Sequence, residues 1–247
     1  MGEFWTATDR IADWIVKTPL VSVMMPAFNA GSTVERALSS LVAQTFQGWE
    51  VILVDDGSTD DTWERALRVE DRRIRRIRWR QNRGRGAARR FALRQSEGSF
   101  VCMLDADDWY YPWKLECQLE SLESEPDAVL ISSAMASVSD SGELVGVWRN
   151  PALSGEDVLA PQLRSLLELS FPHAPCMIRS GNAKAFGYHA GLRRAEEYHH
   201  LALVLKDHRY LVSGRVLYAY TEAGSYAKEG SGPRYLWSAL ASALLIG

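Results

Sequence analysis

Three carboxylates in four positions follow an apolar run in the middle of the chain. The segment reads FVCMLDADDW, and its acidic residues are Asp105, Asp107 and Asp108. Like charges at this spacing repel one another, and burial raises the cost. Mg²⁺ and Mn²⁺ relieve such repulsion, because they prefer carboxylate oxygens and bridge them to substrate phosphates. The segment therefore predicts a metal site, and a solvated loop that caps the next helix is the alternative.

Two further acidic pairs are candidates for chemistry. Asp55 and Asp56 follow another apolar run in VDDGS, and Glu196 and Glu197 precede a segment with helical periodicity. Taken alone, the first pair is typical of a turn with an Asx cap. The second, taken alone, is typical of a first helical turn, where the helix dipole favours carboxylates.

Arginines are concentrated between Asp56 and Asp105. Thirteen of the 30 residues from Arg65 to Arg94 are arginine, and Arg89 lies in NRGRGAARR, a loop that enters a helix. Guanidinium groups and helix N-termini both bind phosphate oxygens. No GxxxxGK[ST] motif is present, so a bound diphosphate would depend on metal and arginine. Binding of RNA or anionic lipid is less favoured, because the net charge is −3 and no RNA-binding motif occurs.

The elements that must position these residues alternate in the first half of the chain. Apolar strands are predicted at 20–25, 49–54 and 99–104 and a further strand at 74–80, with helical periodicity between them. Ser32 and Glu35 have capping-box spacing, and Pro112 suits the first turn of the helix that follows the last strand. The alternation predicts an α/β fold with a mainly parallel central sheet flanked by helices. Ligands of such sheets bind beyond the carboxyl ends of the strands, where the acidic loops should meet.

The second half of the chain is less regular. Strands are predicted at 129–136, 144–148 and 215–220, and helices at 163–169 and 195–205. His199 and His200 are predicted to be exposed on the last of these helices, and His173 either packs or lines a pocket. No linker separates two folding units, which favours one domain across 1–247.

Composition limits the class of protein further. The 247 residues are 47% hydrophobic and 24% charged, as in ordinary globular proteins. The cysteine count is three and no CxxC pair occurs, which argues against a disulfide framework and favours a reducing, cytoplasmic setting. No apolar run reaches the roughly 18–20 residues that span a bilayer, and the apolar segment 235–247 is too short.

Four segments together resemble the family 2 glycosyltransferases of the GT-A fold. They share the family's order and spacing over about residues 20–225, and a fifth segment, AEEYHHLALVL at 195–205, matches more weakly. The four are VSVMMPAFN (21–29), VDDGSTDDT (54–62), NRGRGAARRFAL (82–93) and GSFVCMLDADDW (98–109).

The resemblance implies an inverting transfer from a nucleotide-diphosphate sugar, with UDP the favoured nucleotide, to a glycan, lipid-linked or small-molecule acceptor. It implies a Rossmann-like nucleotide-sugar-binding half at about 20–110, an acceptor-binding half at about 111–225 and a C-terminal helix at 226–247. No nucleic acid partner is expected. The resemblance is compatible with peripheral association at the inner face of a membrane. A non-catalytic homologue that binds nucleotide or glycan and, less favoured, a nucleotidyltransferase are the alternatives.

The resemblance also implies roles for individual residues. Glu197 would be the catalytic base, beside Glu196, and Asp107 would bind Mn²⁺ or Mg²⁺, with Asp108 as the alternative metal ligand. The residues implied in nucleotide-sugar binding are Pro26, Phe28 and Asn29 against the base, Asp55 and Asp56 on the base or ribose, Arg89 near the nucleotide or diphosphate, and Asp105 of the DxD motif.

Two positions depart from the family's pattern. Glu197 stands where relatives usually have an aspartate, which lengthens the side chain by one methylene group. Many relatives have a histidine after the last short strand, but this chain has Tyr220, Thr221 and Glu222 there and no histidine. Glu222 is a candidate substitute for that ligand.

Overall fold

The computed structural model describes residues 19–139, 141–148, 157–160, 171–189, 192 and 196–222. The predicted helices at 163–169 and 226–247 lie outside these ranges. The strands are β1 Val21–Ala27, β2 Trp49–Asp55, β3 Ile74–Arg78, β4 Phe100–Met103, β5 Trp109–Tyr110, β6 Ala128–Val138, β7 Leu144–Trp148, β8 Asp157–Ala160, β9 Met177–Arg179 and β10 Arg209–Thr221. The helices are α1 Val34–Val42, α2 Thr62–Arg68, α3 Arg85–Gln95, α4 Lys114–Ser124, α5 Ser180–Phe186 and α6 Glu196–Leu205.

The described strands form one sheet in the order β3-β2-β1-β4-β9-β6-β10-β5, with β7 beside β6 and β8 beside β10. The α/β fold and the alternation through β4 are confirmed, and β1 to β4 pair in parallel. The second half makes the sheet mixed rather than mainly parallel. Strand β9 runs antiparallel to β4 and β6, and β5, β7 and β8 also pair antiparallel, while β6 and β10 are parallel.

Strands β1, β2 and β4 are covered on both faces, which explains their largely apolar sequence, whereas β3 at the sheet edge is only partly buried. Alternate residues of β1 face opposite sides, so Val23 packs in one core cluster with Leu38 of α1. Met24 packs in the other cluster with Ala92 of α3 and Val204 of α6. Helices α1 and α3 therefore enclose the strands that carry the acidic loops.

Local predictions failed where a short-range signal competed with tertiary contacts. Helix α1 begins at Val34 without a side-chain cap, and Glu35 pairs instead with arginines of α2, so the capping box is wrong. Helix α4 begins at Lys114, two residues beyond Pro112. Strand β10 has 13 residues rather than only the predicted segment 215–220, because its pairing with β6 begins at Arg209 and continues through a register irregularity between Ser213 and Val216.

Histidine burial differs from the sequence prediction. His200 is fully buried rather than exposed, and its ring lies 4.3 Å from that of Tyr188, centroid to centroid. His173 is also buried, and its Nε2 lies 2.9 Å from the Tyr188 hydroxyl, which identifies a packing role. Burial lowers the pKa of both histidines.

Two of the sequence predictions concern disulfide bonds and membrane-spanning helices. Cys102, Cys117 and Cys176 are all free thiols, as the count suggested. Over the ranges given above, no helix combines the length and hydropathy required to cross a bilayer.

Candidate functional site

The loops after β1, β2 and β4 meet at one edge of the sheet, as predicted. Strands β1 and β2 end side by side, and the Asp56 N–H donates to the Ala27 carbonyl at 2.8 Å. The Asn29 N–H donates to the Ser58 hydroxyl at 3.0 Å, and Asn29 Oδ1 accepts from the Thr59 N–H at 2.9 Å. These contacts join the first two loops into one surface.

Asp55 and Asp56 hold these loops in place through hydrogen bonds from buried positions. Asp55 is fully buried, and its carboxylate accepts the Ser58 N–H at 2.9 Å and lies 3.2 Å from Arg78 Nε. Its expected contact with the base or ribose stays a prediction, and in this structure the carboxylate is enclosed by protein. Asp56 accepts the N–H groups of Arg83 and Gly84 at 2.7 and 2.8 Å, which fixes the loop before α3.

Of the three residues expected against the base, two reach the surface. Pro26 is buried within β1, whereas the Phe28 side chain is 49% exposed and Asn29 follows it with φ of 50°. The exposed Phe28 ring offers a flat apolar face on which a base can stack. Phe28 and Asn29 thus remain predictions as base contacts, together with Asp56.

Asp108 anchors the acidic loop rather than facing the site. It is fully buried, and its two carboxylate oxygens accept the Tyr218 hydroxyl at 2.7 Å and the Thr221 N–H at 2.8 Å. Burial, with the charges of Asp105 and Asp107, raises its pKa well above the ordinary value. The alternative of Asp108 as metal ligand stays a prediction, and in this structure both of its oxygens are directed at β10.

Asp107, by contrast, is exposed, although it is next to the buried Asp108. Its carbonyl accepts the Thr221 hydroxyl at 2.5 Å and Arg36 Nη2 at 2.8 Å, and the Arg36 guanidinium lies 4.1 Å from the Trp109 ring centroid. Over the described residues no three acidic, histidine or cysteine side chains form a group able to hold a metal.

We expect Tyr218→Phe to lower the free energy of unfolding by about 1–3 kcal/mol, because the buried Asp108 carboxylate loses a hydrogen bond. Tyr220→Phe is the matched control, since Tyr220 is partly exposed on the same strand. Urea unfolding monitored by circular dichroism measures both. Equal stability of the two variants would contradict an anchoring role for Asp108.

Arg89 is the centre of a buried charge network. Its side chain is 3% exposed, and its guanidinium lies 2.9 Å from Asp105, 2.9 Å from Glu196 and 3.6 Å from Glu197. Burial alone would lower its pKa, but these carboxylates raise it above the ordinary arginine value. The expected contact of Arg89 with the nucleotide or diphosphate stays a prediction, and in this structure carboxylates surround the group.

The two glutamates of the acid pair differ in environment. Glu196 is fully buried and also bonded to Arg85, at 3.0 Å from Nε, and its expected place in the catalytic pair stays a prediction. The Glu197 side chain is 19% exposed, and Arg85 lies 3.6 Å away. Burial and the charge of Glu196 raise the pKa of Glu197, and Arg89 opposes them. A partly exposed carboxyl with a raised pKa is suited to accept a proton near neutral pH.

Sequence reasoning missed Arg36, Arg85, Tyr218 and Thr221. Arg36 and Arg85 have the spacing of ordinary solvated helix residues, and Tyr218 lies among apolar residues that suggest only a core strand. Glu222 is not directed at Asp107, because its carboxylate accepts the Ser137 hydroxyl. Only the pairing of β10 with β5 and β6 brings Tyr218 and Thr221 to the acidic loop.

Comparison with known protein families gives one match over most of the chain. The model described as Glycosyl transferase family 2 matches residues 22–190. Two *Escherichia coli* relatives, WfaP and WfgD, are each named UDP-Glc:alpha-D-GlcNAc-diphosphoundecaprenol beta-1,3-glucosyltransferase. WfaP is 32% identical over 53% of this chain and 52% of its own length, and WfgD is 37% identical over 42% and 41%. The chain thus spans about half, or less, of these relatives.

Solved structures show the same fold. *Staphylococcus aureus* TarS 1-349 in complex with UDP aligns over 91% of this chain and 64% of that one, with a TM-score of 0.69 and 22% identity. The *Pyrobaculum calidifontis* mannosyltransferase PcManGT, in complex with GDP-Man and Mn²⁺, aligns over 96% and 81%, with a TM-score of 0.61 and 16% identity.

Proposed function

The chain belongs to glycosyl transferase family 2, and from this premise we propose that it transfers a sugar, with inversion, from a UDP-sugar to an acceptor hydroxyl. Sugar donors that carry UDP are named for both *E. coli* relatives. Their acceptors are linked through diphosphate to a polyprenol, which supports a lipid-linked acceptor here. We place the reaction at the cytoplasmic face of a membrane on the same support.

One observation carries the proposal: a single guanidinium joins the acidic loop to the acid pair. Arg89 lies 2.9 Å from Asp105 and 3.6 Å from Glu197, although these residues are far apart in the sequence. A donor held at Asp105 and Asp107 therefore lies beside a carboxylate that can take a proton. This is the arrangement that displacement at an anomeric carbon requires.

The residues present fit a divalent cation together with a diphosphate. Asp107 is exposed, and Asp105 is partly exposed beside it. Mg²⁺ and Mn²⁺ sites of this kind use one or two carboxylates and take their remaining ligands from substrate phosphates and water. We assign Asp107, with Asp105 beside it, as the residues that would hold the ion. When bound, the ion would neutralise charge on the leaving diphosphate.

The chain's own residues account for the proton and for the geometry. Glu197 accepts the proton of the acceptor hydroxyl as that oxygen bonds to the anomeric carbon. The bond from the anomeric carbon to the phosphate oxygen breaks, and its electron pair leaves with the nucleoside diphosphate. Attack from the face opposite the leaving group inverts the configuration. Arg85 and Arg89 hold Glu197 in place through contacts of 3.6 Å.

A transfer assay tests the proposal. Purified protein is incubated with UDP- and GDP-sugars, each with and without Mn²⁺, and with a GlcNAc diphosphate carrying an alkyl chain. Product mass and released nucleoside diphosphate are measured. We expect transfer from a UDP-sugar that depends on metal. Tight binding of a nucleotide sugar without turnover would favour the non-catalytic homologue.

For the metal, we expect Asp107→Asn to abolish the Mn²⁺-dependent part of the rise in melting temperature that UDP produces. The substitution removes the exposed negative charge and leaves the buried anchor intact. Asp127→Asn is the control, because Asp127 is exposed and distant in sequence from the acidic loop. Thermal unfolding with UDP, with and without Mn²⁺, gives the answer. An unchanged Mn²⁺ effect would assign the ion to Asp105.

A further inference from the structure

Arg36 of α1 contacts the acidic loop, although the proposed reaction assigns it no role. Its Nη2 donates to the Asp107 carbonyl at 2.8 Å and to the Thr221 hydroxyl at 3.0 Å. The guanidinium also lies over the Trp109 ring, 4.1 Å from its centroid. Arg36 therefore joins three elements: helix α1, the acidic loop and the end of β10.

The contacts of Arg36 differ from those of the ion-paired arginines nearby. Glu35, the preceding residue, pairs with Arg65 and Arg68 of α2. Among the described residues, by contrast, no carboxylate lies within ion-pair distance of Arg36. Its Nε is enclosed and has no hydrogen-bond partner in this part of the chain. An enclosed donor without a partner costs free energy, so stability alone is a weak explanation for the position of this side chain.

Arg36 helps to fix the peptide that joins Asp107 to Asp108. The carbonyl of this peptide accepts from Arg36 and from Thr221. The N–H of the same peptide donates to the Asp105 carbonyl at 3.1 Å. Because both polar groups of the peptide are held, the Asp107 side chain can turn only about its own torsion angles, which favour a few rotamers. Its exposed carboxylate is therefore presented in a nearly constant direction.

A neighbouring residue of α1 supports the chain beyond the acidic loop. Ser40, one turn after Arg36, accepts the Tyr110 N–H at 3.1 Å. This bond holds the same segment of chain without contacting Asp107. Ser40 is thus a matched comparison for Arg36, because it separates general support of the segment from an effect on the exposed carboxylate.

Electrostatics alone predicts an unfavourable effect of Arg36 on a bound cation. A positive guanidinium near Asp107 repels a divalent ion, so its charge should weaken the binding of Mn²⁺. Its hydrogen bonds go to a main-chain carbonyl and a hydroxyl, which leaves the Asp107 carboxylate available. A side chain that orients a metal ligand and one that only repels the ion therefore give effects of opposite sign when the charge is removed.

We propose that Arg36 is a positioning residue of the metal site, which holds the acidic loop against β10 so that the Asp107 carboxylate faces the cation and the donor diphosphate. Residues that hold a metal ligand in place change the metal affinity about 10–100-fold when they are replaced. The inference rests on the proposed function, because it concerns the ion that this function requires. It adds to the site a residue that contacts neither the ion nor the sugar.

Binding of Mn²⁺ with UDP saturating tests the inference without requiring turnover. Electron paramagnetic resonance measures free Mn²⁺ and gives its Kd for each variant. We expect Arg36→Met to weaken Mn²⁺ binding about 10–100-fold, because the side chain keeps its apolar stem but loses both hydrogen bonds. Arg36→Lys, which keeps a donor and the charge, should restore most of the affinity. Ser40→Ala, the matched control, should leave the Kd for Mn²⁺ unchanged.

Thr221→Val provides a second variant that does not alter any charge. It removes the hydroxyl that donates to the Asp107 carbonyl beside Arg36. We expect it to weaken Mn²⁺ binding in the same direction as Arg36→Met. The double variant should lose less affinity than the two single losses combined, because both residues hold the same carbonyl. If one single variant does not fold, the other decides.

Three outcomes would overturn the inference. The first is an unchanged or lower Kd for Mn²⁺ in Arg36→Met, which would show that only the charge of Arg36 acts on the ion. The second is an equal rise of this Kd in Ser40→Ala, and the third is no binding of Mn²⁺ by the wild-type protein. Release of UDP from a UDP-sugar is measured in parallel. Its absence in a wild-type protein that binds Mn²⁺ would reject the proposed function, whereas the Kd values would still decide the role of Arg36.

Discussion

Replacing Glu197 with glutamine will lower kcat for sugar transfer by about 10²–10⁴-fold, the usual contribution of a general base. The amide cannot accept the proton of the acceptor hydroxyl, yet it has nearly the shape of the carboxyl group. Affinity for UDP should therefore stay within a few fold of wild type. Steady-state kinetics of UDP release in the presence of acceptor, with calorimetry for UDP, measures both quantities.

Glu70→Gln serves as the control for this substitution, because Glu70 is exposed and lies outside the acid pair. Full activity of Glu197→Gln would remove Glu197 as the base. Weak UDP binding in that variant would instead indicate that the substitution disturbs the donor site. The buried Glu196 is unsuitable as a control, because its replacement would also disrupt the contacts with Arg85 and Arg89.

Replacing Arg89 with methionine will lower the free energy of unfolding by about 3–5 kcal/mol, the usual cost of removing one member of a buried ion pair. The side chain is fully enclosed and neutralises Asp105, Glu196 and Glu197. Without it, these carboxylates must be buried uncompensated or become protonated. Arg90→Met is the control, since Arg90 is the next residue of α3 and is only partly buried. Urea unfolding of both variants provides the measurement.

The same network predicts a change in the pH dependence of kcat. In the proposed function Glu197 acts as the carboxylate, so we expect activity to fall as pH decreases through its pKa, which burial and Glu196 already raise. Arg89 opposes this rise, so Arg89→Lys, which keeps the charge but alters the geometry, should move the acid limb to higher pH. An unchanged acid limb together with reduced stability would show that Arg89 acts on folding alone.

The sequence identified the parallel half of the fold because its signals are local. The apolar runs of β1, β2 and β4 are buried on both faces, whereas β3 at the sheet edge is only partly buried, and β1 to β3 are each followed directly by a helix. Strands β5, β8 and β9 have only two to four residues and no period of their own. They exist because β10, β6 and β4 offer them an edge, which no local pattern reveals.

The sequence predicted only the part of the site that depends on local signals. The position of Asp107 after a buried strand is a local property, and it was found. The separation of Asp107 from Asp108 depends on Tyr218 and Thr221, which belong to a strand that pairs across the sheet. Likewise, Glu196 and Glu197 are adjacent in sequence, and only the approach of α3 to α6 makes one a buried partner of arginine and leaves the other partly exposed.

A crystal structure of the protein with UDP and Mn²⁺ tests the central claim most directly. The account predicts the ion on the Asp107 carboxylate and the diphosphate, the uracil ring beside Phe28, and Asp108 still bonded to Tyr218 and Thr221. The β-phosphate should lie on the side of the loop that faces Glu197. A nucleotide bound away from this sheet edge, or an ion coordinated by Asp108, would contradict the account.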